Sequence, residues 1–215
     1  ILHNETKYAG GGIYIQEARN VFIDSTLIAY NNVETSGTSN IQGYGGGIFY
    51  YGESNASLVA HNSTIAHNFS TNSGGGFRQY YGNSNGEIKN TIIWHNNTTG
   101  SEESYNFVGP TALITENNNI QGFEATLNLD PLFCNSDNGN FELFSNSPCI
   151  GAGENGVDIG AFGIGCYVEY NGPVWHVATN GVNESNGSIV TPFQTIQKAI
   201  DLSLIHISEP TRQEA

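Results

Sequence analysis

Gly10-Gly11-Gly12-Ile13-Tyr14 recurs as Gly45-Gly46-Gly47-Ile48-Phe49 and again as Gly74-Gly75-Gly76-Phe77. A second segment travels with each triplet: Ile28-Ala29-Tyr30-Asn31, Ile65-Ala66-His67-Asn68 and Ile93-Trp94-His95-Asn96. Ser25-Thr26, Ser63-Thr64 and Asn90-Thr91 precede these three segments. Self-similarity at a period between about 20 and 50 residues marks a stacked or arrayed architecture.

Each repeat holds three short runs rich in β-branched and aromatic residues. In the second repeat they are Ile48-Phe49-Tyr50-Tyr51, Ser57-Leu58-Val59-Ala60 and Thr64-Ile65-Ala66-His67. Asn, Gly and Ser cluster between them, as strand-and-turn chains require. No apolar pattern of helical period runs through this region. Three strands per repeat, joined by short polar turns, predict an all-β right-handed parallel β-helix with three strands per coil, its hand following from the bias of parallel crossovers. The recurrent Asn31, Asn68 and Asn96 are expected to form a hydrogen-bonded ladder at a turn. The glycines mark a position of positive φ or of close approach between coils.

Composition narrows the function classes. The chain has 215 residues and a net charge of −14, because Lys and Arg number only 6. So few cations argue against nucleic acid, whose phosphates must be neutralised, and against anionic membrane surfaces. No run of about 18 apolar residues predicts a membrane-spanning helix. The chain has no Met and begins within a repeat, so it reads as an internal segment of a longer protein and as a monomeric module within it.

The alternation of Gly-Gly-Gly-Ile with Ile-x-x-Asn segments over residues 9–97 resembles the repeats of polymorphic outer-membrane proteins and related bacterial surface β-helices. After Tyr105 the pattern changes to Asp130-Pro131-Leu132-Phe133-Cys134, Asn140-Phe141-Glu142-Leu143, Ser147-Pro148-Cys149-Ile150-Gly151 and Asp158-Ile159-Gly160-Ala161-Phe162-Gly163. That order is similar to the closing segment of bacterial choice-of-anchor Q domains, within the pectin-lyase-like superfamily. The resemblance implies an exported cell-surface protein and supplies no catalytic residues. Prolines 131 and 148 suit a segment that closes the last coil, since they are poor templates for further strand pairing. Among the cysteines, Cys134 with Cys149 is the favoured disulfide, because both flank the Phe141-Glu142-Leu143 strand. Cys149 with Cys166 is the alternative.

Residues 1–168 therefore read as the last coils and closing segment of one β-helix, and 169–173 as a linker. Residues 174–203 are similar to the opening strand and cap helix of a second pectate-lyase-like β-helix. There Thr191 and Gln194 have capping-box spacing, with Pro192 at the first helical position of a helix near 192–202. Residues 204–215 read as a non-native tail.

Candidate chemistry is sparse. Asp24, Glu53 and Glu87 do not recur at one repeat position, so they make no obvious pair of catalytic carboxylates. Arg78 and Lys89 read as solvated charges. His67 and His95 occupy equivalent positions next to Tyr30, which suits a ladder of rings better than a metal site, and no third ligand is evident. The Asp137-Asn138-Gly139-Asn140 stretch reads as a turn. No cofactor is expected. Tyr50, Tyr51, Tyr80 and Tyr81 recur after their glycine triplets, and one of each pair should face outward. They are the candidate ligand-contact residues, for a sugar-stacking strip or for loop-covered packing. The expected function is a non-catalytic secreted or surface module acting as stalk, adhesin or glycan-contact surface, with glycans or host cell-surface components as partners. The alternative is part of a polysaccharide lyase or glycoside hydrolase whose site lies in other coils.

Overall fold

The computed structural model describes residues 1–16, 18, 20–35, 42–52, 57–81, 85–99, 107–108, 117–168 and 175–202. The chain divides into two units, Ile1–Cys166 and Tyr167–Ala215. Glu53, the proposed linker 169–173 and the proposed tail 204–215 lie outside the described residues.

The first unit is all-β. Its strands are β1 (Glu5–Thr6), β2 (Ile13–Gln16), β3 (Asn20–Asp24), β4 (Leu27–Ala29), β5 (Asn32–Val33), β6 (Ile48–Tyr51), β7 (Ser57–His61), β8 (Thr64–Ala66) and β9 (Phe69–Ser70). There follow β10 (Phe77–Tyr81), β11 (Asn85–Lys89), β12 (Ile92–Trp94), β13 (Asn97–Thr98), β14 (Phe107–Val108), β15 (Asn119–Ile120), β16 (Phe133–Asn135), β17 (Asn140–Phe144) and β18 (Ile164–Cys166). They form four parallel sheets, ordered β2-β6-β10-β14, β3-β7-β11, β4-β8-β12-β15 and β1-β5-β9-β13, and a fifth, mixed sheet β16-β17-β18.

Each parallel sheet takes one strand from each repeat, and equivalent residues pair. Ile28 lies opposite Ile65, Ile65 opposite Ile93, and Ile93 opposite Ile120. Strand alternation sends these isoleucines into one apolar core with Ile48, Leu58, Phe77 and Ile88. Four strands, not three, belong to each repeat. The additional strand, such as Phe69–Ser70, has two residues, too few for alternation to register in the sequence.

The glycine triplets lie backbone against backbone. The N–H of Gly46 donates to the carbonyl of Gly74, and that of Gly47 to the carbonyl of Gly75. Gly45 has φ +65°, a left-handed conformation that side chains disfavour. A Cβ at Gly46 would fall 2.4 Å from the carbonyl oxygen of Gly75, so glycine there is required by contact, not by φ.

Asn4, Asn31, Asn68 and Asn96 form a file of hydrogen bonds. The Oδ1 of Asn68 accepts from both the backbone N–H (3.0 Å) and the Nδ2 (2.9 Å) of Asn31. Asn96 does the same for Asn68. Each Nδ2 also reaches a main-chain carbonyl, Ile28 for Asn68 and Ile65 for Asn96. Buried amides satisfied in this way avoid the penalty of unpaired polar groups. The corner before β4, β8, β12 and β15 carries a second file, in which the N–H groups of Thr26, Ser63 and Thr91 reach Ser63, Thr91 and Asn118 side chains. The file aligns Ser63 with Thr26, one residue away from the alignment that the Ser-Thr steps suggest.

The closing segment was expected to cap the end of the last coil; it folds back along the flank of sheet β4-β8-β12. Phe141 packs with Ala29, Ala66, Leu27 and Tyr30, and Leu143, Cys149 and Ile159 pack with Ile92 and Trp94. The outward residues of β4, β8 and β12 are small or apolar, so this face needs a cover. The N–H of Ala161 donates to the Thr64 hydroxyl, and that of Gly160 to the Asn90 carbonyl.

The disulfide joins Cys134 to Cys166, with Cα atoms 5.9 Å apart. This corrects both sequence expectations, Cys134–Cys149 and Cys149–Cys166. Cys134 on β16 and Cys166 on β18 sit on the two strands flanking β17. Cys149 is instead fully buried as a free thiol, and accepts a hydrogen bond from Asn119 Nδ2 at 3.1 Å. Burial raises its pKa.

In the second unit, Val177 pairs with Phe193 in a parallel bridge, and the buried Phe193 ring lies 5.7 Å from Trp175. Helix α1 spans Ile196–Leu202. It starts later than the capping-box reading from Thr191 implied, because Phe193 is held extended by its bridge. Thr195 Oγ1 accepts from the Lys198 N–H and so caps the helix, while Thr191 hydrogen-bonds Asn186 and Ser188.

Candidate ligand-contact face

The outer face of sheet β2-β6-β10 carries a cluster of aromatic side chains outside the core. After each triplet, Ile13, Ile48 and Phe77 point inward, so the next residues, Tyr14, Phe49 and Arg78, form one outward row in register. Tyr14 stacks on Phe49 with centroids 5.4 Å apart, and Tyr8 meets Tyr14 at 5.9 Å. Tyr44, Phe49 and Tyr80 lie 5.7–6.4 Å from one another. Tyr51 stacks on Tyr80 at 6.2 Å. Phe49, at the centre, is wholly covered, whereas Tyr14, Tyr44, Tyr51 and Tyr80 are half-buried and Tyr8 is exposed. The guanidinium of Arg78 lies 5.3 Å from the centre of the Tyr44 ring and 5.8 Å from that of Tyr80.

The four tyrosines read from the sequence separate in this arrangement. Tyr50 is fully buried in the core and contributes nothing to the outer face. Burial raises the pKa of its hydroxyl, which has no hydrogen-bond partner among the described residues. Tyr50 pairs with Gln79, and Tyr51 with Tyr81, because Tyr80 is the extra residue of a bulge. Tyr80 keeps the outward side that alternation from Phe77 gives it, and stacks there on Tyr51. The side chain of Tyr81 lies outside the described residues. Tyr8, Tyr14, Tyr44, Phe49 and Arg78 were not picked from the sequence. Counting alternation from the inward residue after each triplet would have found Tyr14, Phe49 and Arg78; Tyr8 and Tyr44 precede the triplets, outside the named strands, and carry no such signal.

Comparison with protein-family models, with curated proteins and with solved structures finds no match to this chain.

Two polar groupings lie elsewhere. Asp24, His61 and Lys89 share one row of sheet β3-β7-β11. His61 Nε2 lies 2.7 Å from Glu87 Oε1, and Lys89 Nζ lies 3.7 Å from Glu87 and 3.2 Å from Glu154 of the closing segment. The carboxylates Glu154 and Glu87 raise the Lys89 pKa. Opposite charges are matched here, and the Lys89–Glu154 pair ties the closing segment to β11. The second grouping is a column of rings, His3, Tyr30, His67 and His95, with neighbouring centroids 4.9–5.4 Å apart. All four sit at positive φ, where His is among the more tolerant residues. Among the described residues no three His, Cys, Asp or Glu side chains come together as a metal site, and no helix is long and apolar enough to cross a membrane.

Proposed function

We propose that residues 1–166 belong to a right-handed parallel β-helix that works as a non-catalytic, exported surface module, with the Tyr14–Phe49–Tyr80 face as its glycan contact. The observation that carries this reading is the continuous outward file of aromatic rings with phenol groups at its rim. Such rings offer apolar CH contact together with hydroxyls for hydrogen bonding, the mixture a sugar presents. The four in-register parallel sheets support the β-helix, since each repeat buries its inner face only by pairing with the next. The disulfide supports export, because such bonds persist in oxidising compartments. The resemblance of the closing motifs to choice-of-anchor Q segments supports a cell-surface location. A single face contributes weak affinity, which tandem modules would raise through multivalency.

A glycan array probed with the wild-type chain and with a Tyr14→Ala/Tyr80→Ala variant tests the contact face. Binding by the wild type that the variant loses, with circular dichroism unchanged, supports it. Equal binding by both, or binding by neither, overturns the glycan reading and leaves a stalk.

A further inference from the structure

We propose that Arg78 makes this face selective for anionic saccharides, those bearing a carboxylate or a sulfate group; the inference rests on the glycan-contact reading above. Three observations carry it. First, Arg78 occupies the outward row at the position that Tyr14 and Phe49 hold in the other two repeats, so it lies within the aromatic file. Second, it has no ion-pair partner among the described residues, although the chain carries 20 acidic residues against 6 basic ones. Lys89, by contrast, has two carboxylate partners. Third, Arg78 is partly removed from water, and its Nε–H is buried without an acceptor among the described residues. Burial lowers its pKa, and the phenol groups of Tyr44 and Tyr80 oppose that shift.

The ring contacts engage the guanidinium as a cation over a π face and leave its N–H donors to be used. A guanidinium presents those donors as a planar fork that matches two oxygens of a carboxylate or sulfate. An anion seated against Arg78 would place the attached sugar ring beside Tyr44 and Tyr80, the two adjacent rings that the guanidinium already lies against. Charge complementarity therefore favours an anionic saccharide over a neutral one at this position, even though the protein as a whole is acidic.

The test reads the glycan array in three arms: neutral glycans, glycans charged only by carboxylates, and sulfated glycans. The chains are wild type, Arg78→Gln and Arg78→Lys, with melting curves to check that each is folded. The expected result is wild-type binding concentrated in the charged arms and weakened by added salt. Arg78→Gln should reduce that binding about tenfold to a hundredfold, as loss of a charged hydrogen bond predicts, and reduce binding in the neutral arm by a smaller factor. Arg78→Lys should retain part of it. The carboxylate-only and sulfated arms then separate the two sources of the anion. Binding confined to the neutral arm, or charged-arm binding that survives in Arg78→Gln, overturns this inference and leaves the glycan reading standing. Binding in no arm overturns both.

Discussion

Phe141 meets His67 edge to face, with ring centroids 5.8 Å apart and planes at 68°. The contact joins the closing segment to the middle of the repeat region. Phe141 also lies against Tyr30, whose hydroxyl donates a hydrogen bond to the Ser136 carbonyl. Through these contacts one closing segment braces the first and second repeats on their shared flank.

Phe141→Ala should destabilise the first unit by about 3–5 kcal/mol, the usual cost of emptying a buried aromatic site. Chemical denaturation checks the magnitude. Hydrogen exchange should show the loss of protection concentrated in β4, β8 and residues 133–144, the elements that Phe141 touches. Unchanged protection there would contradict the bracing role.

Stability should fall on acidification through His67. Burial, and then the neighbouring His95, lower its pKa below the ordinary 6.5, with Asp137 opposing them. Below about pH 6.5 the unfolded chain then binds more protons at this site than the folded one. The contribution is fully present above that pH and is lost as pH falls towards and through the folded pKa. The groups facing His67 are Tyr30, His95, Asp137 and Phe141. Denaturation midpoints between about pH 7.5 and about pH 5 should decline more steeply in wild type than in His67→Asn, since asparagine tolerates the same positive φ.

Gly46→Ala should be far more damaging than Gly139→Ala. Gly46 has no room, its added Cβ meeting carbonyl oxygens of Gly75 and Phe69 at 2.4 Å. Gly139 has φ +83° and open space, so alanine there costs only the left-handed penalty of about 1–2 kcal/mol. Melting temperatures of the two variants decide it. A Gly46→Ala chain as stable as Gly139→Ala would mean that adjacent triplets are not in close contact.

Reduction should weaken the closing segment without exposing Cys149. The Cys134–Cys166 bridge spans a sequence separation of 32, which corresponds to roughly 3–4 kcal/mol in the loop-entropy account. Mass spectrometry of the folded, oxidised chain should find no alkylation at Cys149, which is buried and has its thiol pKa raised. Alkylation at Cys149 before unfolding would contradict the packing described.

The sequence by itself determined the all-β class and the parallel pairing of equivalent segments. Both follow from local chemistry repeated at one interval: glycines where backbones touch, β-branched residues where a core forms, asparagines at a corner. Repetition turns a local preference into a long-range one, because each residue's partner is its own counterpart in the next repeat. What escaped the sequence had no such counterpart. The two-residue strands were too short to register, and the bulge at Tyr80 sets Tyr81, not Tyr80, opposite Tyr51 while Gln79 lies opposite the buried Tyr50. The closing segment does not repeat, so nothing in residues 130–166 announces that it lies along the flank of β4, β8 and β12, or that Cys166 reaches Cys134. The outward face depends on the same distinction. Alternation along each strand fixes the row of Tyr14, Phe49 and Arg78, but only the tertiary structure brings Tyr44, from the connection before its triplet, together with Tyr80 against one guanidinium.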